Sequence, residues 1–424
     1  MDRGVEEPGS DATKGRCPGE FRYWENLDTP WARRLRSVGR FVLGFDPAPP
    51  DHLVRTFASM YYDADPLAEA FVEEVYVPRG APAGRALLDE ALARGVGSIA
   101  GAPPSLVRLF ADLETDPPWV DRALVDRGAR VFRRFGPAVF RFAGAITLQA
   151  YSESSVAKPL VLTGAYAGAS TRKRFLETVA FWLAVSDPGG LAPGAPGRIA
   201  ALRVRVMHVF VRKRLMAHPE WDLDAWGVPI SQADAQLTLM GGSFAPGVAL
   251  HAMGYRTSRD DIEALMHFWR YVGHLMGVRP RWYPASLREA SQLAFVTTVK
   301  AARRAGDDGR HLCRSYVEAF APTGDGPWHR RLREGLSHRA HLGFTRFFML
   351  PSAYRHNRLP PAGLWALYPL AHFPFLFAAE TLRRAIPALD DVADRVARAQ
   401  RERWFAHHMA GRTAEYRPVE SFTR

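Results

Sequence analysis

The sequence predicts an all-α protein built as a single large helical domain, and three observations carry that prediction. Apolar residues recur at three- and four-residue spacing in 53–60, 86–93 and 124–142, while two-residue alternation is scarce. Good helix formers (Ala, Leu and Arg) dominate these stretches, and Pro and Gly clusters punctuate them. With 424 residues, 47% of them hydrophobic, the chain is long enough to bury a large core and to enclose a small molecule within it.

The elements follow in order. Residues 1–20 are polar and glycine-rich without periodicity, the composition of a disordered tail. Residues 21–116 form an N-terminal helical region expected to pack on the core. Pro117-Pro118-Trp119-Val120-Asp121 ends one helix and starts another, opening a central region that runs to about residue 360. Within it, a Pro- and Gly-rich loop over 186–197 precedes a basic helix opening near Arg198. Ser231 with Asp234 three residues on forms an N-cap, and 257–261 opens the helix that carries Trp269 and His274. The C-terminal part, 361–424, begins with the apolar stretch 364–379. That stretch falls short of the roughly 18 residues needed to span a bilayer and is broken by Pro369 and Pro374, so it reads as buried or membrane-touching.

The net charge is +12, from 56 Lys and Arg against 44 Asp and Glu. This balance suits an anionic surface or an acidic ligand, or a solvated basic surface. No basic arm, zinc-finger spacing or RNA-recognition signature points to nucleic acid. Two cysteines, Cys17 and Cys313, exclude a disulfide framework and fit a reducing, cytoplasmic setting; the N-terminus lacks the apolar stretch of a secretory signal. Serine-hydrolase, HExxH and phosphate-loop motifs are absent.

The centre of the chain carries the chemistry. In 171–182, Arg174, Glu177, Thr178 and Phe181 share one helical face; as a solvated face this would hold an Arg174–Glu177 pair, and buried it would demand partners. In 198–217, His208 lies on an apolar stripe with Ala201, Val204, Val211 and Leu215, edged by Arg205 and Arg212. That segment carries six basic residues and no acid between Arg198 and Arg214. A lone histidine on such a stripe is commonly a core residue, but an imidazole, an apolar wall and flanking cations are also what a haem pocket requires. Glu263, His267 and His274 share a face of another helix and read as polar packing, since no second Glu-x-x-His pair exists to complete a di-iron site.

Arg174-x-x-x-Thr178, followed thirty residues later by His208 within RVRVMHVFVRKRL, resembles the signature of the latex-clearing (rubber oxygenase) family. The flanking PPWVDRALVDRGARVFRRFG, WGVPISQAD and HAMGYRTSRDDIEALMHFWRYVGHLMGV agree with this. The resemblance implies a globin-like helical core holding haem b. His208 would be the iron ligand, Arg174 and Thr178 would lie beside the haem, and Arg205 and Arg212 would be available to its propionates. It also implies oxygenase chemistry with O₂ on an isoprenoid-like or other hydrophobic alkene. The family has a lysine before the motif threonine where this chain has Glu177, so a lysine-capped iron does not carry over. A catalytic glutamate upstream in the family finds its counterpart only in Glu153, the sole acid in 151–170. The competing readings are a non-catalytic haem protein and a metal-free helical protein whose basic face binds membrane or nucleic acid.

Overall fold

The structure is a computed structural model that describes residues 15–164, 170–322, 324 and 326–409. Among these every regular element is helical and there is no strand, as the periodicity predicts. Most of the expected tail lies outside the described residues, but within it the Gly19 and Glu20 amides donate to the Asp224 and Ala225 carbonyls.

The helices that position the site are α1 (Pro30–Leu43), α2 (Asp51–Ser59), α3 (Pro66–Phe71), α4 (Pro104–Glu114), α5 (Arg122–Arg134), α6 (Ala138–Ala150) and α7 (Ser154–Leu162). After these come α8 (Ser170–Ser186), α9 (Pro196–Met216), α10 (Gln232–Gly242), α11 (Arg259–Leu275) and α12 (Leu287–Val299). The chain closes with α13 (Gly306–Ala319), α14 (Trp328–Phe348), α15 (Phe373–Ala385) and α16 (Ala388–Met409). Their ends obey local chemistry. The Asp121 carboxylate accepts from the Ala123 and Leu124 amides to start α5, and Ser231 accepts from Asp234 to start α10. Ser258 and Asp261 close a reciprocal capping box at α11.

The core is organised around α5 packed along α11. Gly128 makes this approach possible: a Cβ there would sit 2.1 Å from the Ala264 carbonyl oxygen. Phe132 and Trp269 meet edge-on across the seam, with centroids 5.2 Å apart. The C-terminal α16 returns to this centre. Trp404 packs on Phe140, and the buried Arg401 donates to the Ser186 hydroxyl at 2.7 Å while lying over the Phe132 and Phe140 rings.

The N-terminal region docks on α9, and its acids account for the basic run on that helix. Arg203 pairs with Asp89, Arg205 with Asp65 and Asp112, Arg212 with Glu69, and Lys213 with Glu73. Arg198 donates to the Leu113 carbonyl and, at 3.0 Å, to the Tyr271 hydroxyl. Five of the six Lys and Arg side chains of α9 are thus met by partners elsewhere in the same chain, and every acid among those partners lies N-terminal to the helix.

The stretch 364–379 is not buried. It breaks into a 3₁₀ turn, a short helix and the start of α15, and Leu364 and Phe375 are 86% and 77% exposed. No helix among the described residues is long and apolar enough to cross a membrane.

Candidate haem-binding site

The hairpin of α8 and α9 assembles the central residues. Gly190 and Gly197 let the connecting loop close on the end of α8, since a Cβ on either would overlap the Ala184 carbonyl oxygen. The second helix then folds back along the first. Arg174 lies as many residues before the end of α8 as His208 lies after the start of α9. At about 1.5 Å of rise per residue both stand roughly 18 Å from the turn, at one level of the hairpin.

On α8, Arg174 donates through Nη1 to Glu177 Oε2 at 2.9 Å, and the Thr178 hydroxyl donates to the Arg174 carbonyl at 3.1 Å. The pair is not a solvated surface contact, because Glu177 is only 5% exposed. A buried carboxylate with its cation at hydrogen-bond distance is a charge held in place inside the protein.

On α9, His208 lies within the protein but retains some accessible surface. Burial, and after it the nearby Arg212 charge, pushes its pKa down to about 4, against a weaker opposing pull from Asp65. The imidazole is therefore neutral, the protonation state in which a ring nitrogen can bind a metal. No described residue hydrogen-bonds to it, so both ring nitrogens remain available. The donor chemistry at His208 fits a residue that would hold a haem iron.

The flanking arginines are differently engaged. Arg205, 1% exposed, grips Asp65 with two N–H groups at 2.7 and 3.0 Å and Asp112 with a third at 2.7 Å. Burial works against its charge, but the bonds to Asp65 and Asp112 outweigh it and raise its pKa. Gly277, at φ +79°, makes room for this pair, since a Cβ there would lie 2.0 Å from Asp65 Oδ2. Arg212 donates to the Pro229 and Ile230 carbonyls at 2.9 and 2.7 Å and to Glu69 at 3.0 Å. As placed, both guanidinium groups tie α9 to the N-terminal region.

Glu153 belongs to another part of the fold. It is the N-cap residue of α7, and its two carboxylate oxygens accept from the Ala302 and Arg303 amides, each at 3.2 Å. Arg303 adopts φ +54°, a strained value for a residue with a Cβ, and Glu153 helps to hold that turn.

The histidines of α11 sit in packing roles. His267 Nε2 accepts from the Asp121 amide at 3.0 Å, His274 stacks on Tyr271, and Glu263 is engaged by Arg259 and the Leu287 amide. Among the described residues no three His, Cys, Asp or Glu side chains are grouped to hold a metal ion. Sequence reasoning missed a group that the structure does assemble: Arg141, Arg172, His341 and His408, drawn together from α6, α8, α14 and α16. They are too far apart in sequence for spacing to reveal them.

Fold and site together define an all-helical protein with a neutral imidazole and a buried Arg–Glu pair at one level of a central hairpin. Residues 129–410, about two thirds of the chain, match the family described as ER-bound oxygenase mpaB/B'/rubber oxygenase, catalytic domain, and the chain belongs to that family. The match runs on through α14, α15 and α16. The rubber oxygenase of Streptomyces sp. (strain K30) is 28% identical over 229 residues, which are 53% of this chain and 54% of that protein. The matched stretch thus spans about half the length of that relative. The fold is similar to that of latex clearing protein LCP in its closed state, with a TM-score of 0.61 and 21% identity over 81% of this chain and 91% of the other.

Proposed function

We propose that this chain is a haem b-dependent oxygenase that acts on a hydrophobic, isoprenoid-like or other alkene substrate, with His208 as the protein ligand to the iron in a globin-like core. The observation that carries the reading is the neutral, enclosed His208 imidazole, level with the Arg174–Glu177 pair. Bound haem would supply the iron at which O₂ is activated.

The residues of the chain would do the rest. His208 would hold the cofactor through one ring nitrogen and donate from the other, which sets the basicity of the ligand. Its stripe, with Val204 and Leu215 buried, offers an apolar wall that excludes water. Glu177, buried and oriented by Arg174, would accept or return a proton at its carboxylate oxygens. Thr178, tied to the Arg174 carbonyl, would hold that end of α8 in place. Glu153, whose oxygens are taken by two amides, would act by fixing its loop.

Peripheral contact with a membrane, where a greasy substrate dissolves, also belongs to this reading. Leu364, Leu367, Phe373 and Phe375 form an exposed apolar run, and an adjoining cleft of about 550 Å³ is lined by Arg346, Arg355 and Arg358. Apolar side chains beside arginines suit an anionic interface. The two free cysteines fit a cytoplasmic location.

The deciding measurement is the absorption spectrum of pure protein, oxidised and reduced, with a pyridine haemochrome assay, followed by O₂ uptake with a hydrophobic alkene. About one b-type haem per chain and alkene-dependent uptake are expected. A colourless protein that takes up no haem on reconstitution would end the reading, and haem without uptake would leave a sensor or carrier.

A further inference from the structure

Arg141 is a cation inside the protein without a carboxylate. Its Nε is wholly shielded and makes no hydrogen bond, and the contact its guanidinium does make is with the Phe344 ring, 5.9 Å away. Burial dominates its pKa and lowers it, yet the residue keeps some accessible surface, as a side chain at the back of a recess would.

The titratable groups around Arg141 are tyrosines, histidines and another arginine. His341 is buried with Nε2 unbonded and its ring stacked on Phe320 at 4.6 Å; His408 is stacked on Trp404 at 3.9 Å. Arg172 reaches in from α8 to the His408 carbonyl, His338 flanks from α14, and His372 lies against Tyr368. None of these side chains is hydrogen-bonded or ion-paired to a carboxylate of a described residue. Elsewhere the chain meets its buried arginines, Arg205 and Arg133 with carboxylates, Arg198 and Arg401 with carbonyl and hydroxyl oxygens. An unmatched one is costly to keep, and a negative charge arriving from outside the chain would offset that cost.

The recess adjoins the site already described. Arg141 and Gly144 share a face of α6, and the Tyr316 hydroxyl lies so close to Gly144 that a Cβ there would be 1.9 Å from it. The Tyr316 ring meets Phe175 edge-on at 5.5 Å, and Phe175 stands on α8 between Arg174 and Thr178 in sequence.

We propose that Arg141, with His341 and Tyr316, forms an internal carboxylate-binding recess beside the α8 site. It would receive either a haem propionate or the head group of a long-chain carboxylic acid. The propionate source rests on the haem reading above; the second source does not.

The test uses the full chain, as wild type, Arg141→Leu and Arg141→Lys, with two pairs of probes: haemin against haemin dimethyl ester, and palmitate against methyl palmitate. In wild type one acid should bind tighter than its ester. Arg141→Leu should weaken that acid by about 10- to 100-fold, or about 1.4 to 2.7 kcal/mol, leave the ester unchanged, and so erase the preference. Arg141→Lys should retain part of it. The pair that shows the preference identifies the source. Without ligand, Arg141→Leu should melt no lower than wild type, because an unmatched buried cation has been removed; a purely structural arginine would lower the melting temperature. A wild type with no acid preference in either pair, or an acid-to-ester ratio unchanged in both Arg141 variants, overturns the proposal. A wild type that takes up no haem defeats the haem reading but leaves the palmitate pair to decide this one.

Discussion

Replacing Arg205 by methionine separates the two roles open to the arginines of α9. The substitution keeps a long apolar stem and removes the guanidinium. Asp112 would keep Arg279, which donates to it at 2.9 and 3.0 Å, whereas Asp65 would lose both of its cationic bonds and retain only the Ala68 amide at 3.3 Å. Stranding one partner of a buried ion pair costs about 3–5 kcal/mol. Unfolding entropy near the melting point is about 2.1 cal/mol/K per residue, so a cooperative chain of 424 residues loses roughly 1 °C per kcal/mol. Haem-free Arg205→Met should therefore melt about 3–6 °C below wild type, by calorimetry at fixed pH and salt. Asp65→Asn should recover part of that loss in the double variant, because it removes the stranded charge. Haem affinity, titrated on folded protein, should change less than threefold. An unchanged haem-free melting temperature together with a haem affinity weakened tenfold or more would refute the argument and return Arg205 to the propionates.

Three further outcomes follow from the placement of single side chains. His208→Ala should fold but retain no haem, whereas His267→Ala and His274→Ala should keep it; haem content per chain after reconstitution reads this directly. His267→Ala should also lose about 1 kcal/mol of stability, since the Asp121 amide loses its acceptor. Glu177→Gln should impair turnover more than haem binding, and Glu177→Lys should shift a largely high-spin ferric signal toward low spin in electron paramagnetic resonance, because an amine is a stronger-field ligand than a carboxylate. Phe375→Asp with Leu364→Asp should abolish co-flotation with anionic vesicles while leaving haem content intact; flotation equal to wild type would remove that surface from the account.

What could be read in the sequence, and what could not, divides by the range of the interaction. Helix starts at Asp121, Ser231 and Ser258 were legible because an N-cap side chain and the backbone amide that donates to it lie within three residues of each other. The Arg174–Glu177 pair was legible for the same reason, but its burial was not, because that depends on what packs over α8. The basic run of α9 could be seen but its meaning could not. The carboxylates that answer Arg205 lie 140 and 93 residues away, and the one that answers Arg212 lies 143 away. From one helix alone, cations awaiting a ligand and cations awaiting the rest of the fold look alike.

The same logic distinguishes Arg141 from the other buried arginines. Once the fold has supplied acids to Arg133, Arg205 and Arg212, a cation left with only an aromatic ring is informative in a way that the run on α9 is not. Desolvating a guanidinium is unfavourable wherever it occurs, and the fold offsets it with acids at Arg205 and with carbonyls and hydroxyls at Arg198 and Arg401, whereas Arg141 bonds to neither among the described residues. The ten residues from Arg198 to Met207 include no acid and no histidine, yet the fold matches the arginines among them, and α6 shows one cation in a more apolar helix that it does not match. The charge inventory of the sequence raised an acidic ligand at α9; as placed, Arg205 and Arg212 bond to the N-terminal region and the 229–230 loop, and the carboxylate proposed above would instead meet the isolated Arg141, beside Tyr316 and one ring from α8.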